Sequence, residues 1–108
     1  MDKKIKAVWV AALRSGKYKQ TIGRLHRDKA TQKAPVGYCC LGVLSKVCGE
    51  TNKSMGSRGF PSHAVLVASG MDYETTVSFD EEDRSLEFLN DTKRLSFPEI
   101  ADIIEAQL

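Results

Sequence analysis

Near the start of the chain the apolar residues fall at Ile5, Val8, Trp9, Ala12 and Leu13. This i, i+3, i+4, i+7, i+8 spacing is what one buried face of a helix requires. It predicts a first helix near residues 4–15, with Trp9, the only tryptophan, as a core anchor. Gly16 ends that helix as a C-terminal glycine. The helical rhythm is then lost. Residues 17–27 mix aromatic and β-branched side chains with charges, which predicts an extended strand over 18–27. Gly23 within it marks a bulge or a close backbone approach. Residues 28–36 read as a polar loop around Pro35. The helical period returns at Cys40, Leu41, Leu44, Val47 and Cys48, one face of a second helix near 39–48 that stops at Gly49. Gly42 in its interior costs about 1 kcal/mol relative to Ala, so its presence predicts a very close neighbour.

Residues 50–59 contain two glycines and read as a flexible loop with nothing to bury. Pro61 suits the first turn of a helix through Ser69, ended by Gly70. Val65-Leu66-Val67 reads equally well as a buried strand. Tyr73 to Phe79 is β-branched enough for a strand. Asp80-Glu81-Glu82-Asp83 places four acids where they favour a helix N-terminus. Leu86 and Leu89 supply the apolar side of that helix, near 81–90, and Asn90-Asp91 makes a turn. Ser96-Phe97-Pro98-Glu99 has the form of a capping box with proline in the first turn. Ile100, Ile103, Ile104 and Leu108 complete a final helix near 97–107. The sum is a single-domain α+β fold over 1–108, with about four helices around a small antiparallel sheet built from 18–27 and 73–79.

With 108 residues the chain supports one modest core. No run approaches the roughly 20 apolar residues of a membrane helix. Ala7 to Leu13 is too short for the apolar centre of a signal peptide and runs into Arg14, so an intracellular location is expected. Three cysteines, an odd count, predict free thiols in a reducing compartment. Cys40 and Cys48 would lie about 12 Å apart along a helix at its usual rise, too far for a disulfide.

Charge changes the picture more than composition does. The net charge of +2 hides a partition. Residues 1–35 hold ten Lys and Arg against Asp2 and Asp28, whereas residues 71–108 hold eleven acids against Arg84, Lys93 and Arg94. Three readings follow: the two ends neutralise each other across the fold, a basic face meets nucleic acid or another polyanion, or an acidic face meets a basic protein.

Three segments occur in a distinctive order. They are Trp9 with Ala11-Ala12-Leu13-Arg14-Ser15-Gly16-Lys17-Tyr18, then Gly37-Tyr38-Cys39-Cys40-Leu41-Gly42-Val43-Leu44, then Leu89-Asn90-Asp91 followed by Ser96-Phe97-Pro98-Glu99-Ile100-Ala101-Asp102-Ile103-Ile104-Glu105. This order resembles a family of small, mostly uncharacterised proteins encoded by tailed bacteriophages and prophages. The resemblance spans both ends and the middle but not residues 50–79. It implies a phage accessory protein acting in the cytoplasm of a bacterial host. It carries over no catalytic residue.

Candidate chemistry is sparse. Cys39 or Cys40 at a helix N-terminus would have a thiol favoured as thiolate by the dipole. A cysteine hydrolase also needs an oriented histidine, and only His26 and His63 exist. Cys39, Cys40 and Cys48 lack the Cys-x2–4-Cys spacing of a zinc site. Residues 96–104 look like the first helix of a helix-turn-helix, but no recognition helix follows before Leu108. Gly56-Ser57-Arg58-Gly59 lacks the Walker spacing and lysine. These readings leave small core cysteines, no cofactor and no metal.

The preferred expectation is therefore non-catalytic binding to a host protein or small-molecule ligand, with no membrane association. Arg14, Lys17, Tyr18, Lys19, Gln20, Arg24 and His26 are the candidate contact residues, because a core does not need these residue types there. The alternative is nucleic-acid binding by the basic N-terminal half, since cations interleaved with an aromatic suit phosphates and stacked bases. A cysteine-dependent enzyme ranks below both. The plain alternative for the segment is a solvated basic edge strand.

Overall fold

The structure, a computed structural model, describes all residues from 1 to 108. It is a single-domain α+β fold of six helices and two two-stranded antiparallel sheets. The order is α1 (Lys3–Arg14), β1 (His26–Arg27), β2 (Gly37–Tyr38), α2 (Cys40–Val47), α3 (Asn52–Met55), α4 (His63–Ser69), β3 (Thr76–Phe79), β4 (Glu82–Ser85), α5 (Leu86–Asp91) and α6 (Phe97–Gln107). No helix is long and apolar enough to cross a membrane.

Helix α2 lies at the centre, with α1, α3 and α5 packed against it, and α1 also packs along α6. Residues Cys40 to Ser45 are all buried, so this helix is covered on every side rather than along one stripe. Trp9 is fully buried and its Nε1 donates to the Cys40 carbonyl at 2.9 Å, tying α1 to the first turn of α2. The α1 stripe differs from the expected one by a single position. Val10 is buried, whereas Val8 is 54 % exposed, because α1 serves two neighbours and the second seam runs beside Val10. Helix α6 begins at the expected capping box: the Ser96 hydroxyl accepts from the Glu99 N–H, and Glu99 accepts from the Ser96 N–H. Phe97, Ile100, Ala101 and Ile104 form its buried face.

Three expectations are corrected. First, residues 18–27 are not one strand paired with 73–79. The segment wraps around β2 instead. Lys19 and Thr21 bond one edge of Tyr38, through its N–H and its carbonyl, both at 2.8 Å. His26 and Arg27 pair antiparallel with Tyr38 and Gly37 on the other edge. Gly23, at φ 80°, sits in the turn between the two passes. Second, residues 82–85 are strand, not the start of a helix. Asp80 and Glu81 take the two positive φ values of a tight hairpin turn, and β4 pairs with β3 from Phe79↔Glu82 to Thr76↔Ser85. The helix therefore starts at Leu86, where the Ser85 hydroxyl accepts from the Phe88 N–H. Third, the helix count exceeds four because residues 50–69 hold α3 and α4. Met55 of α3 is fully buried, so the segment over 50–59 does bury a side chain. Helix α4 resolves the Val65-Leu66-Val67 ambiguity as helix, capped by Ser62 and ended by Gly70 in the left-handed conformation. Pro61 lies just outside it rather than in its first turn.

The close neighbour of Gly42 is the Leu25 backbone. A Cβ on Gly42 would overlap the Leu25 carbonyl oxygen, which also accepts from the Cys39 N–H. The wrapped segment is thereby laid directly on the first turn of α2.

Candidate binding face

The wrapped segment reaches the surface through Tyr18, His26 and the residues around them. Tyr38 lies between its two passes, so its ring meets Tyr18 edge-on at 5.3 Å and His26 at 4.7 Å. The Lys17 ammonium stands 5.8 Å from the centre of the Tyr18 ring. The Tyr38 hydroxyl donates to Asn52 Oδ1 at 2.9 Å and so joins the aromatic cluster to α3. Lys17, Lys19 and Arg24 are exposed, and none of them enters an ion pair. Three half-buried rings in contact through Tyr38, with three exposed and unpaired cations on the same segment, make a face that is packed and positively charged.

A buried junction holds this face in place. Asn90, expected in a turn, is instead fully buried within α5. Its Oδ1 accepts from Gln20 Nε2 at 2.9 Å and from the Cys40 N–H at 3.2 Å. Its Nδ2 donates to the Thr21 carbonyl at 2.9 Å and to Asp91 Oδ1 at 2.7 Å. One amide thus satisfies an orphan N–H at the start of α2 and anchors the middle of the wrapped segment.

Five of the seven candidate residues come together on this face: Lys17, Tyr18, Lys19, Arg24 and His26. Two do not belong to it as free groups. Gln20 is half-buried and occupied by Asn90 and by the Leu95 carbonyl. Arg14 bonds Asp102 at 2.7 Å and Glu105 at 2.9 Å along the α1–α6 seam. The hydrogen bonds to Glu105 and then Asp102 hold the Arg14 guanidinium above its usual range, and the same contact lowers Glu105. Sequence reasoning missed Tyr38 and Asn52. Tyr38 was absorbed into the cysteine motif, and nothing in the loop-like composition of 50–59 signals a helix beside His26.

The cysteines follow burial. Cys39 precedes α2 and its pKa is pushed up to about 12, chiefly by desolvation. Cys40 is pushed well above its ordinary value for the same reason, and half-buried Cys48 is also raised. At this helix N-terminus desolvation outweighs the dipole, opposite to what a thiolate nucleophile requires. No three His, Cys, Asp or Glu side chains converge as metal ligands.

Comparison with known proteins identifies one family. Residues 1–60 match DUF8296, a domain of unknown function, and this is more than half of the chain, which therefore belongs to that family. The matched stretch includes the whole basic and aromatic face together with α2 and α3. No curated protein and no solved structure matches the chain.

Proposed function

We propose that this member of the DUF8296 family is a phage accessory protein that acts without catalysis, by binding a component of its bacterial host in the cytoplasm. The contact surface is the face of Lys17, Tyr18, Lys19, Arg24 and His26, and the partner presents an acidic surface to it. The observation that carries this reading is the contrast between pinned rings and free cations. Tyr18, His26 and Tyr38 are packed on one another, so little side-chain freedom remains to be lost on binding. Lys17, Lys19 and Arg24 have no carboxylate of their own chain to leave. The phage setting rests on the sequence resemblance alone.

The test is capture from nuclease-treated host lysate by the intact protein and by the double variant Lys19→Glu/Arg24→Glu. The reading expects a partner held by the native chain and lost by the variant, with the melting temperature nearly the same. A variant that captures equally well refutes it. A second reading, single-stranded nucleic acid, is favoured by the aromatic cluster beside the cations. It expects oligonucleotide affinity that falls steeply as salt rises.

A further inference from the structure

Beside the face, between the wrapped segment and α3, lies an open cleft of about 510 Å³. Arg24, His26, Asp28, Asn52, Lys53, Gly56 and Ser57 line it, with no apolar side chain among them. The volume falls within the roughly 300–1,000 Å³ of small-ligand sites, but those are mostly apolar, so an uncharged organic ligand does not suit this one. We propose that the cleft is a nucleoside phosphate site, with the phosphate between Arg24 and Lys53 and the nucleoside along His26 and Asp28.

Four observations lead there. Neither Arg24 nor Lys53 is engaged in an ion pair or a side-chain hydrogen bond, so two full charges face the cleft without a partner in the chain. Asn52 and Ser57 add neutral donors, and the carbonyl oxygen of Asn52 is already occupied by the Tyr38 hydroxyl, which leaves its amide N–H groups for a ligand. His26 is backed by Tyr38 at 4.7 Å, an aromatic wall suited to a base. Asp28 is the one carboxylate on the lining. It disfavours a bare phosphate and suits a ligand that also carries sugar hydroxyls. The two walls are joined on both sides, by the Leu25 N–H to the Arg58 carbonyl at 2.8 Å and by Tyr38 to Asn52 at 2.9 Å, so the cleft exists before any ligand arrives. This goes beyond the partner-binding face, with which the cleft shares Arg24 and His26; Lys53 belongs to the cleft alone and Lys19 to the face alone, so single variants at these two positions separate the two readings.

The experiment is an amide NMR titration of the full chain with adenosine 5′-monophosphate, and in parallel with adenosine and with inorganic phosphate. The nucleotide is expected to move the signals of residues 24–28 and 52–57. Lys53→Gln should weaken it by about tenfold, the loss of one charge-assisted contact, while leaving the rest of the spectrum in place. Lys19→Glu should leave cleft binding within about twofold of the native chain, since Lys19 is exposed and does not line the cleft, and exposed charges are screened by salt. Adenosine binding as tightly as the nucleotide, inorganic phosphate binding as tightly as the nucleotide, indifference to Lys53→Gln, or silence at both segments would each overturn the proposal. A 5′-phosphorylated oligothymidylate, set against its unphosphorylated form and the mononucleotide, separates the sources. Preference for the phosphorylated strand assigns the site to a nucleic-acid end, and preference for the mononucleotide assigns it to a free nucleotide.

Discussion

Arg14 and Arg24 are both surface arginines of the basic N-terminal third, and the fold treats them in opposite ways. Arg14 closes the seam between α1 and α6 by pairing with Asp102 and Glu105. Arg24, like Lys17 and Lys19, is exposed and meets no carboxylate. The charge partition of the chain is therefore two things at once. At one place the basic start and the acidic end neutralise each other. The other two ion pairs, Arg58 with Glu50 and Arg84 with Glu82, are local in sequence. Most of the N-terminal positive charge is left for contacts outside the chain, and Asp80, Glu81 and Asp83 of the β3–β4 hairpin are likewise left in solvent. A charge count cannot distinguish a seam from a face, because both use the same residue types.

The contrast can be broken at its support first. Gly42→Ala drives a methyl group into the Leu25 backbone at the start of the second pass, whose carbonyl accepts from the Cys39 N–H. A backbone cannot rotate away as a side chain can, so the expected loss is about 3 kcal/mol, read from urea unfolding. An unchanged midpoint would mean that the approach is not as close as described. Asn90→Ala comes next. It leaves the Cys40 N–H and the Thr21 carbonyl unpaired in the core, for an expected loss of about 2 kcal/mol, and should also loosen the face.

High pH probes the same buried turn. The folded value of Cys39, about 12, lies above its ordinary 9.0, so folding favours the protonated thiol. That contribution is complete below pH 9 and is lost as pH rises from there toward 12. Stability should fall over this window. Cys39→Ser should flatten the decline, and an equally steep decline in that variant would assign it to other groups. In the same structure Cys39 and Cys40 should resist alkylation near neutral pH until the protein unfolds.

The two smallest stability effects separate seam from face. Arg14→Gln should lower the melting temperature slightly, with the difference shrinking at high salt, and leave partner capture intact. Lys19→Glu/Arg24→Glu should change stability by less than about 0.5 kcal/mol yet abolish capture. If Arg14→Gln abolishes capture as well, the two regions are one surface and the distinction fails.

Local signals in the chain were read well where the physics is local. The stripe of α1, the capping box of α6 and the glycine stops after α1, α2 and α4 depend on residues within a turn or two of one another. Gly42 was legible for a different reason: a costly residue inside a helix implies a neighbour, even though Leu25 could not be named. The acids at 80–83 misled because carboxylates suit both a helix N-terminus and an exposed hairpin turn. The choice was made by strand pairing with 76–79. Asn90 misled similarly, since asparagine is a turn residue by propensity, whereas here its four hydrogen-bonding directions are used in the core. Of the face, the basic segment was legible and its other wall was not. Tyr38 and Asn52 join it, and Lys53 lines the cleft beside it, only because segments far apart in sequence meet.

By itself the amino-acid order determined an α+β domain with a buried tryptophan, a cysteine-bearing central helix and a capped C-terminal helix. These follow from periodicity and capping, which act over a few residues. Only the tertiary structure decided which cations are free, which polar side chains are structural, and that 17–27 wraps Tyr38 instead of pairing with 73–79. Those outcomes depend on which unsatisfied backbone groups and charges meet across the fold. In this chain the residues that settle the matter, Arg14 with Glu105 and Gln20 with Asn90, lie at opposite ends.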